Sequence, residues 1–393
     1  MAESIRYIKY SKIFLEFERL AYYQLFTKNS DFIQKNNFLK NLTIIKMYWS
    51  RNTTILTAFV ILNIRGLIGS LGCDTLWLTI LMNLLLLASV DYRKVKSAFF
   101  FLPLFSLLLV YNKEILGPIN ILAFVYLLKN TSLKSLAFIN INLLLIFSVL
   151  MIFMHAFGII HSKEWIMPKG VALDFGFANP NALGSFVYIL MLNLYILFHN
   201  KSKLILPSLI LIITQIIYQY SLSRTAYIGG IILIIIHFLS LFHLIRPSMR
   251  YLIAILPFLF MGIIFYFTLQ LSIYPIINQL FSGRLTIYAT MLENMSAINW
   301  LIGLQLPIGE PMDSSFLMLL FSGGLTLFLL FSIIFFQNTI KFFNNIKSYL
   351  PIILSILTCG IVENIFSSAS GISLIFWLLI FYPPNIHKSN KLA

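Results

Sequence analysis

Two arginines stand where a guanidinium could do chemistry. Arg224 lies in Ser221-Leu222-Ser223-Arg224-Thr225, and Arg284 in Ser282-Gly283-Arg284. A guanidinium is planar, permanently charged, and grips phosphate oxygens two at a time. A pair of them at one rim of a membrane can hold a lipid-linked diphosphate, or each can simply anchor the chain among headgroups. The glycine beside Arg284 permits close backbone approach. Asp313, in Met312-Asp313-Ser314-Ser315-Phe316, also has two readings. It is a favoured helix N-cap, and it is a carboxylate able to take a proton as general base. The helix dipole would lower its pKa. Asn179 and Asn181 flank Pro180 at the start of an apolar run. They can cap a helix or bind sugar hydroxyls.

Two further charges interrupt apolar runs. Arg65 sits 13 residues past Asn52, and Glu363 sits 14 past Tyr349. At about 1.5 Å per helical residue, both lie roughly 20 Å along their spans, at a shared depth. Charges at such depth are costly and mark function. The two either pair and fix helix packing, or line an outward-open substrate cavity.

The elements that must position these residues are apolar. Of 393 residues, 59% are hydrophobic and 10% charged, and mean hydropathy is +0.90. A soluble domain carries about 25% charged residues, so lipid is the solvent that fits. The expected fold is all-α, a polytopic transmembrane helical bundle. Apolar segments fall at 53–71, 75–90, 97–111, 115–128, 135–157, 181–198, 204–220, 225–245, 251–272, 313–336, 349–366 and 370–383. That makes about 12 spans, or 10 if the short pair within 97–128 is re-entrant.

The net charge of +15 does not signal nucleic acid, because the basic residues cluster between apolar runs. With both termini cytoplasmic, the inner segments hold 22 of the 28 Lys and Arg, the bias that sets membrane orientation. Residues 1–52 form a cytoplasmic segment with no cleavable signal peptide. Its 5–26 stretch reads as a basic amphipathic helix, lying on the membrane or packed on the protein's own loops. Residues 53–383 form the transmembrane domain, with long outer loops at 158–180 and 273–312, and residues 384–393 form a cytoplasmic tail. Cys73 and Cys359 have no metal or redox spacing. The histidines give no metal motif, and no Walker A sequence or Asp-x-Asp cluster appears.

Taken together, the chain resembles the O-antigen polymerase (Wzy) and O-antigen ligase superfamily of polytopic glycosyltransferases. Four stretches carry the likeness. Phe175-Gly176-Phe177-Ala178-Asn179-Pro180-Asn181-Ala182-Leu183-Gly184 resembles that family's Gly-Phe-x-x-Pro-Asn-x-x-Gly entry into a span. Ser221 to Thr225 resembles its Ser-x-Ser-Arg-x turn. Ser282-Gly283-Arg284 with Tyr288 resembles its Gly-Arg-x-x-x-aromatic motif. Asp313-Ser314-Ser315-Phe316, followed by Phe321-Ser322-Gly323-Gly324, resembles the segment that ends the large outer loop. The ligase branch commonly has histidine at the position of Asp313, which favours polymerase.

The resemblance implies a metal-independent transferase with no cofactor, in a bacterial cytoplasmic membrane. Its substrate would be a polyprenyl-diphosphate-linked oligosaccharide, with membrane lipid, a flippase and a chain-length regulator as partners. Arg224 and Arg284 would steady the diphosphate, and Asp313 would accept the acceptor's proton. Arg65, Glu363, Asn179, Asn181 and Tyr288 would bind substrate. A ligase-like glycan transferase and a lipid-linked oligosaccharide flippase are the competing expectations. A flippase would more naturally show two similar halves, and no internal repeat is visible. One departure from the family pattern is Gly303-Leu304-Gln305, where Gly-x-Gly is expected.

Overall fold

In lipid, a chain must satisfy every backbone amide and carbonyl from within, so long apolar runs become helices. The computed structural model describes residues 51–89, 112–167, 170–270, 275–281, 283–306 and 313–383. Residues Thr54–Ala393 form one compact unit, and everything discussed below belongs to it. The 5–26 segment, the 97–111 run and the 384–393 tail lie outside the described residues.

The described chain is predominantly helical. Helices α1 (Arg51–Gly69), α2 (Leu76–Ser89), α3 (Leu116–Leu128) and α4 (Leu133–Ala156) come first. Then follow α5 (Pro180–Phe198), α6 (Ile205–Ser221), α7 (Arg224–Leu241) and α8 (Met249–Leu269). Short helices α9 (Pro275–Leu280), α10 (Arg284–Glu293) and α11 (Ala297–Ile302) lead to the long α12 (Ser315–Lys341). Helices α13 (Phe343–Ile346), α14 (Leu350–Cys359) and α15 (Gly371–Phe381) complete the order. Six of these, α1, α4, α5, α7, α8 and α12, are long and apolar enough to cross a membrane. The chain is therefore a multi-pass membrane protein by helix length and composition.

Both expected long loops carry structure. Residues Glu164–Met167 and Gly170–Leu173 pair as an antiparallel hairpin, β1 and β2, a small departure from an all-helical reading. Asp174 pins it: its carboxylate accepts the Lys163 amide at 2.9 Å, the Gly176 amide at 3.0 Å and the Trp165 indole N–H at 2.9 Å. The second loop holds α9 to α11.

Small residues set the closest helix approaches, as expected where lipid gives no hydrophobic drive between helices. A Cβ on Gly229 in α7 would sit 2.4 Å from the Tyr188 ring and 2.7 Å from Cys359 Sγ. Across the same contact Tyr188 Oη and Ser355 Oγ are 2.6 Å apart, and Ser355 donates to the Gly229 carbonyl at 2.8 Å. This joins α5, α7 and α14 through satisfied polar groups.

Two spans are not continuous. Helix α12 loses helical geometry at Gly323 and Gly324, where Gly324 has φ +67°. The freed carbonyls find a donor in buried Asn112, whose amide nitrogen lies 3.1 Å from Phe321 O and 2.9 Å from Ser322 O. The expected span at 349–366 is also interrupted. Helix α14 stops at Cys359, and the chain is irregular until Gly371. The stretch Gly360 to Ser370 holds Gly360, Asn364, Ser367, Ser368 and Ser370, residue types that favour turns over helix continuation. Glu363 therefore sits on irregular backbone rather than on a helix.

Candidate functional site

The start of α12 organises the site. Its N-cap is Ser314, whose hydroxyl accepts from the Leu317 amide, so Asp313 is not the cap. Ser315 holds the irregular segment beside it. Its Oγ donates to the Glu363 carbonyl at 2.8 Å and accepts the amides of Ile365 at 2.8 Å and Phe366 at 3.2 Å. The Ser315 amide donates to Gly360 O at 2.8 Å. One serine thus fixes where Glu363 stands.

Arg284 meets this frame from the other side. It opens α10 after Gly283, which has φ +80°. That left-handed turn is the reason for glycine here; a Cβ at Gly283 would meet nothing within 4 Å, so close backbone approach is not its role. Arg284 Nη2 lies 2.7 Å from Asp313 Oδ2 and 3.8 Å from Glu363 Oε1. Its Nη1 donates to Val362 O at 2.6 Å. Thr225 adds a hydroxyl bond to Glu363 Oε1 at 3.0 Å. The three charged side chains are 15%, 27% and 14% exposed for Arg284, Asp313 and Glu363, so the cluster is shielded yet reachable.

Desolvation lifts the Asp313 carboxyl above its ordinary value, against the pull of Arg284. This reverses the expectation of a dipole-lowered pKa, and the reason is burial. Tyr288, one turn along α10 from Arg284, is fully buried. Among the described residues its hydroxyl makes no hydrogen bond of good geometry, although the Ser314 main chain bears on it. Burial pushes its pKa up, and the charges of Arg284, Asp313 and Glu363 all act on it.

The other expected residues are placed as follows. Arg224 is the first residue of α7, half-buried and engaged in contacts of its own; the chain step to Thr225 links it to the cluster. Arg65 and Glu363 do not pair. Arg65 donates to Ala369 O at 3.1 Å and to Thr79 Oγ1 at 3.5 Å, while Glu363 faces Arg284. Asn179 caps α5, accepting the Ala182 amide at 2.9 Å. Asn181 is exposed in the first turn of that helix. At the Gly303-Leu304-Gln305 departure, Gly303 has φ +88°, and a Cβ there would meet Phe321 O at 2.5 Å. The Leu304 amide bonds Phe321 O at 2.8 Å, so the loop end is built against the α12 break.

Sequence alone assigns no role to Thr225 or Ser315, which lie inside the motifs above, or to Asn112, a polar residue between two apolar runs. Among the described residues, no group of three or more His, Cys, Asp or Glu is arranged to hold a metal. Comparison with family models, curated proteins and solved structures finds no match to this chain.

Proposed function

We propose that this protein is a polysaccharide polymerase, joining polyprenyl-diphosphate-linked oligosaccharide repeats at the outer face of a bacterial cytoplasmic membrane. On this reading it has about 12 spans, with both termini cytoplasmic. One observation carries the proposal: stretches far apart in sequence, picked out for a shared family likeness, converge. Thr225, Arg284 and Ser315 all bear on Glu363 or its immediate backbone, and Asp313 joins them through Arg284. The fourth stretch joins them through Gly184, where a Cβ would fall 2.2 Å from Ser223 Oγ.

The chemistry follows from the charges. A hydroxyl of the acceptor repeat attacks the anomeric carbon of the donor glycan. The new C–O bond forms as the bond to the lipid diphosphate breaks, and the diphosphate departs with the electron pair. Asp313 takes the hydroxyl proton. Arg284, with Arg224, offsets charge on the leaving diphosphate. Glu363 and Thr225 hold the Arg284 fork in place, and holding the reactants aligned supplies much of the rate. The leaving group needs no nucleotide.

A flippase for the same lipid-linked glycan is the second reading, favoured by the broken helix α12 and the interrupted α14–α15 pair, since transporters place such breaks at their sites. Deletion of the gene, followed by sizing of surface glycan, separates the two. Loss of polymerase leaves single repeats on the surface. Loss of a flippase leaves no exported repeat, and that result would overturn the polymerase reading.

A further inference from the structure

A hollow of about 190 Å³, mostly apolar with a few polar groups, lies near the charge cluster but is lined by other residues. Arg65 of α1 forms one wall, and Glu114 and Asn120 another. Ser367, Ser368 and Ala369 close it from the irregular segment. Gly117 packs on this segment, where a Cβ would meet Ser367 O at 3.4 Å, an ordinary contact. Glu363 and Ser367 are four residues apart, so the hollow is within about 14 Å of the cluster by chain length alone.

The lining has a definite chemical character. Arg65 and Glu114 both face the hollow, and no ion pair joins them. Asn120 is only 4% exposed and lines the hollow. One cation and one carboxylate together favour neither an anion nor a cation. They do suit a neutral ligand that both accepts and donates, with the Asn120 amide doing both as well. Vicinal hydroxyls on a sugar ring have that property.

We propose that this hollow binds a neutral sugar residue of the substrate glycan, with Arg65, Glu114 and Asn120 as its polar contacts. The inference rests on the polymerase reading for the source of the sugar. It differs in ligand and location from the diphosphate site at Arg284.

The test uses the full-length protein in lipid nanodiscs and saturation-transfer NMR. The probes are free neutral hexoses, 6-deoxyhexoses and N-acetylhexosamines, with a uronic acid as the anionic comparison. At least one neutral sugar should give a signal, stronger than the uronic acid. Glu114→Ala and Asn120→Ala should each weaken it at least about tenfold, the loss expected for a hydrogen bond to a charged or buried group. Glu114→Gln, which keeps shape and an acceptor, should retain part of it and controls for folding. Absence of any neutral-sugar signal, or a signal unchanged in both alanine variants, overturns the proposal. Failure of the polymerase reading looks different: sugar binding that depends on Glu114, in a protein whose deletion leaves surface glycan unaltered.

Discussion

Arg284 reaches Asp313 at 2.7 Å, although one opens α10 and the other stands just ahead of α12, 29 residues further on. The guanidinium is also 3.8 Å from Glu363, so its orientation is set from two sides. A fork fixed in this way loses little freedom when it meets an oxyanion. The same geometry makes the arginine hard to replace.

Arg284→Ala should leave the protein inserted in the membrane but make only one-repeat glycan. Arg284→Lys should recover little, because an ammonium cannot engage two oxygens side by side. Gel sizing of surface glycan, beside membrane-fraction abundance of the variant, checks both. Full-length polymer from the alanine variant would remove Arg284 from the chemistry.

Asp313 gives a pH signature. Its carboxyl is raised by burial, and the basic form is the unprotonated one. Activity should therefore fall as pH drops through a value above the ordinary carboxylate range, about 3.9 for aspartate. Asp313→Asn should abolish polymerisation at every pH, whereas Asp313→Glu should keep a residual rate with a shifted acid limb. Rates measured across pH on purified protein and lipid-linked repeat decide this. An asparagine variant with the wild-type profile would exclude the base role.

Gly324 is a structural test. With φ +67° and a would-be Cβ 2.2 Å from the Leu301 carbonyl carbon, Gly324→Ala faces both backbone strain and a clash with main chain. A cost of about 1–3 kcal/mol from the backbone conformation alone is expected, with the clash adding to it. Thermal unfolding in detergent should show a clear drop in Tm. Gly66→Ala, at a position open on all sides, should not.

The hairpin at β1 and β2 should weaken in acid. Burial pushes the Asp174 carboxyl up, but bonds from the Lys163 amide, the Trp165 indole and the Gly176 amide, with the Lys163 charge, outweigh it and leave it below its ordinary value. Its stabilisation is thus present above the unfolded aspartate value of about 3.9 and is lost as pH falls toward the lower folded value. Asp174→Asn should remove that dependence. Trp165 fluorescence followed through an acid titration reports it.

The helices were legible because their apolar runs leave no alternative in lipid. Arg284 and Asp313 were legible because a charged residue next to a glycine or at a helix start is conspicuous. The partner of Glu363 was not. Equal depth along two spans suggested Arg65, but the helix carrying Glu363 ends at Cys359, and rise per residue loses its meaning beyond that point. Asn112 was illegible for a related reason. Its worth depends on a break in α12 whose glycines read equally well as helix-packing residues. The hairpin escaped because four-residue strands in a polar loop leave little periodic trace.

The irregular stretch between α14 and α15 carries the charge cluster at one end and a wall of the hollow at the other. Glu363 projects from it toward Arg284, and Ser367 to Ala369 form the wall of the hollow lined by Arg65. With Ser315 fastening one part and Trp377 donating to Phe366 O at 2.7 Å, the wall is thin but braced. A ligand in the hollow therefore rests on the same short stretch of chain that carries Glu363.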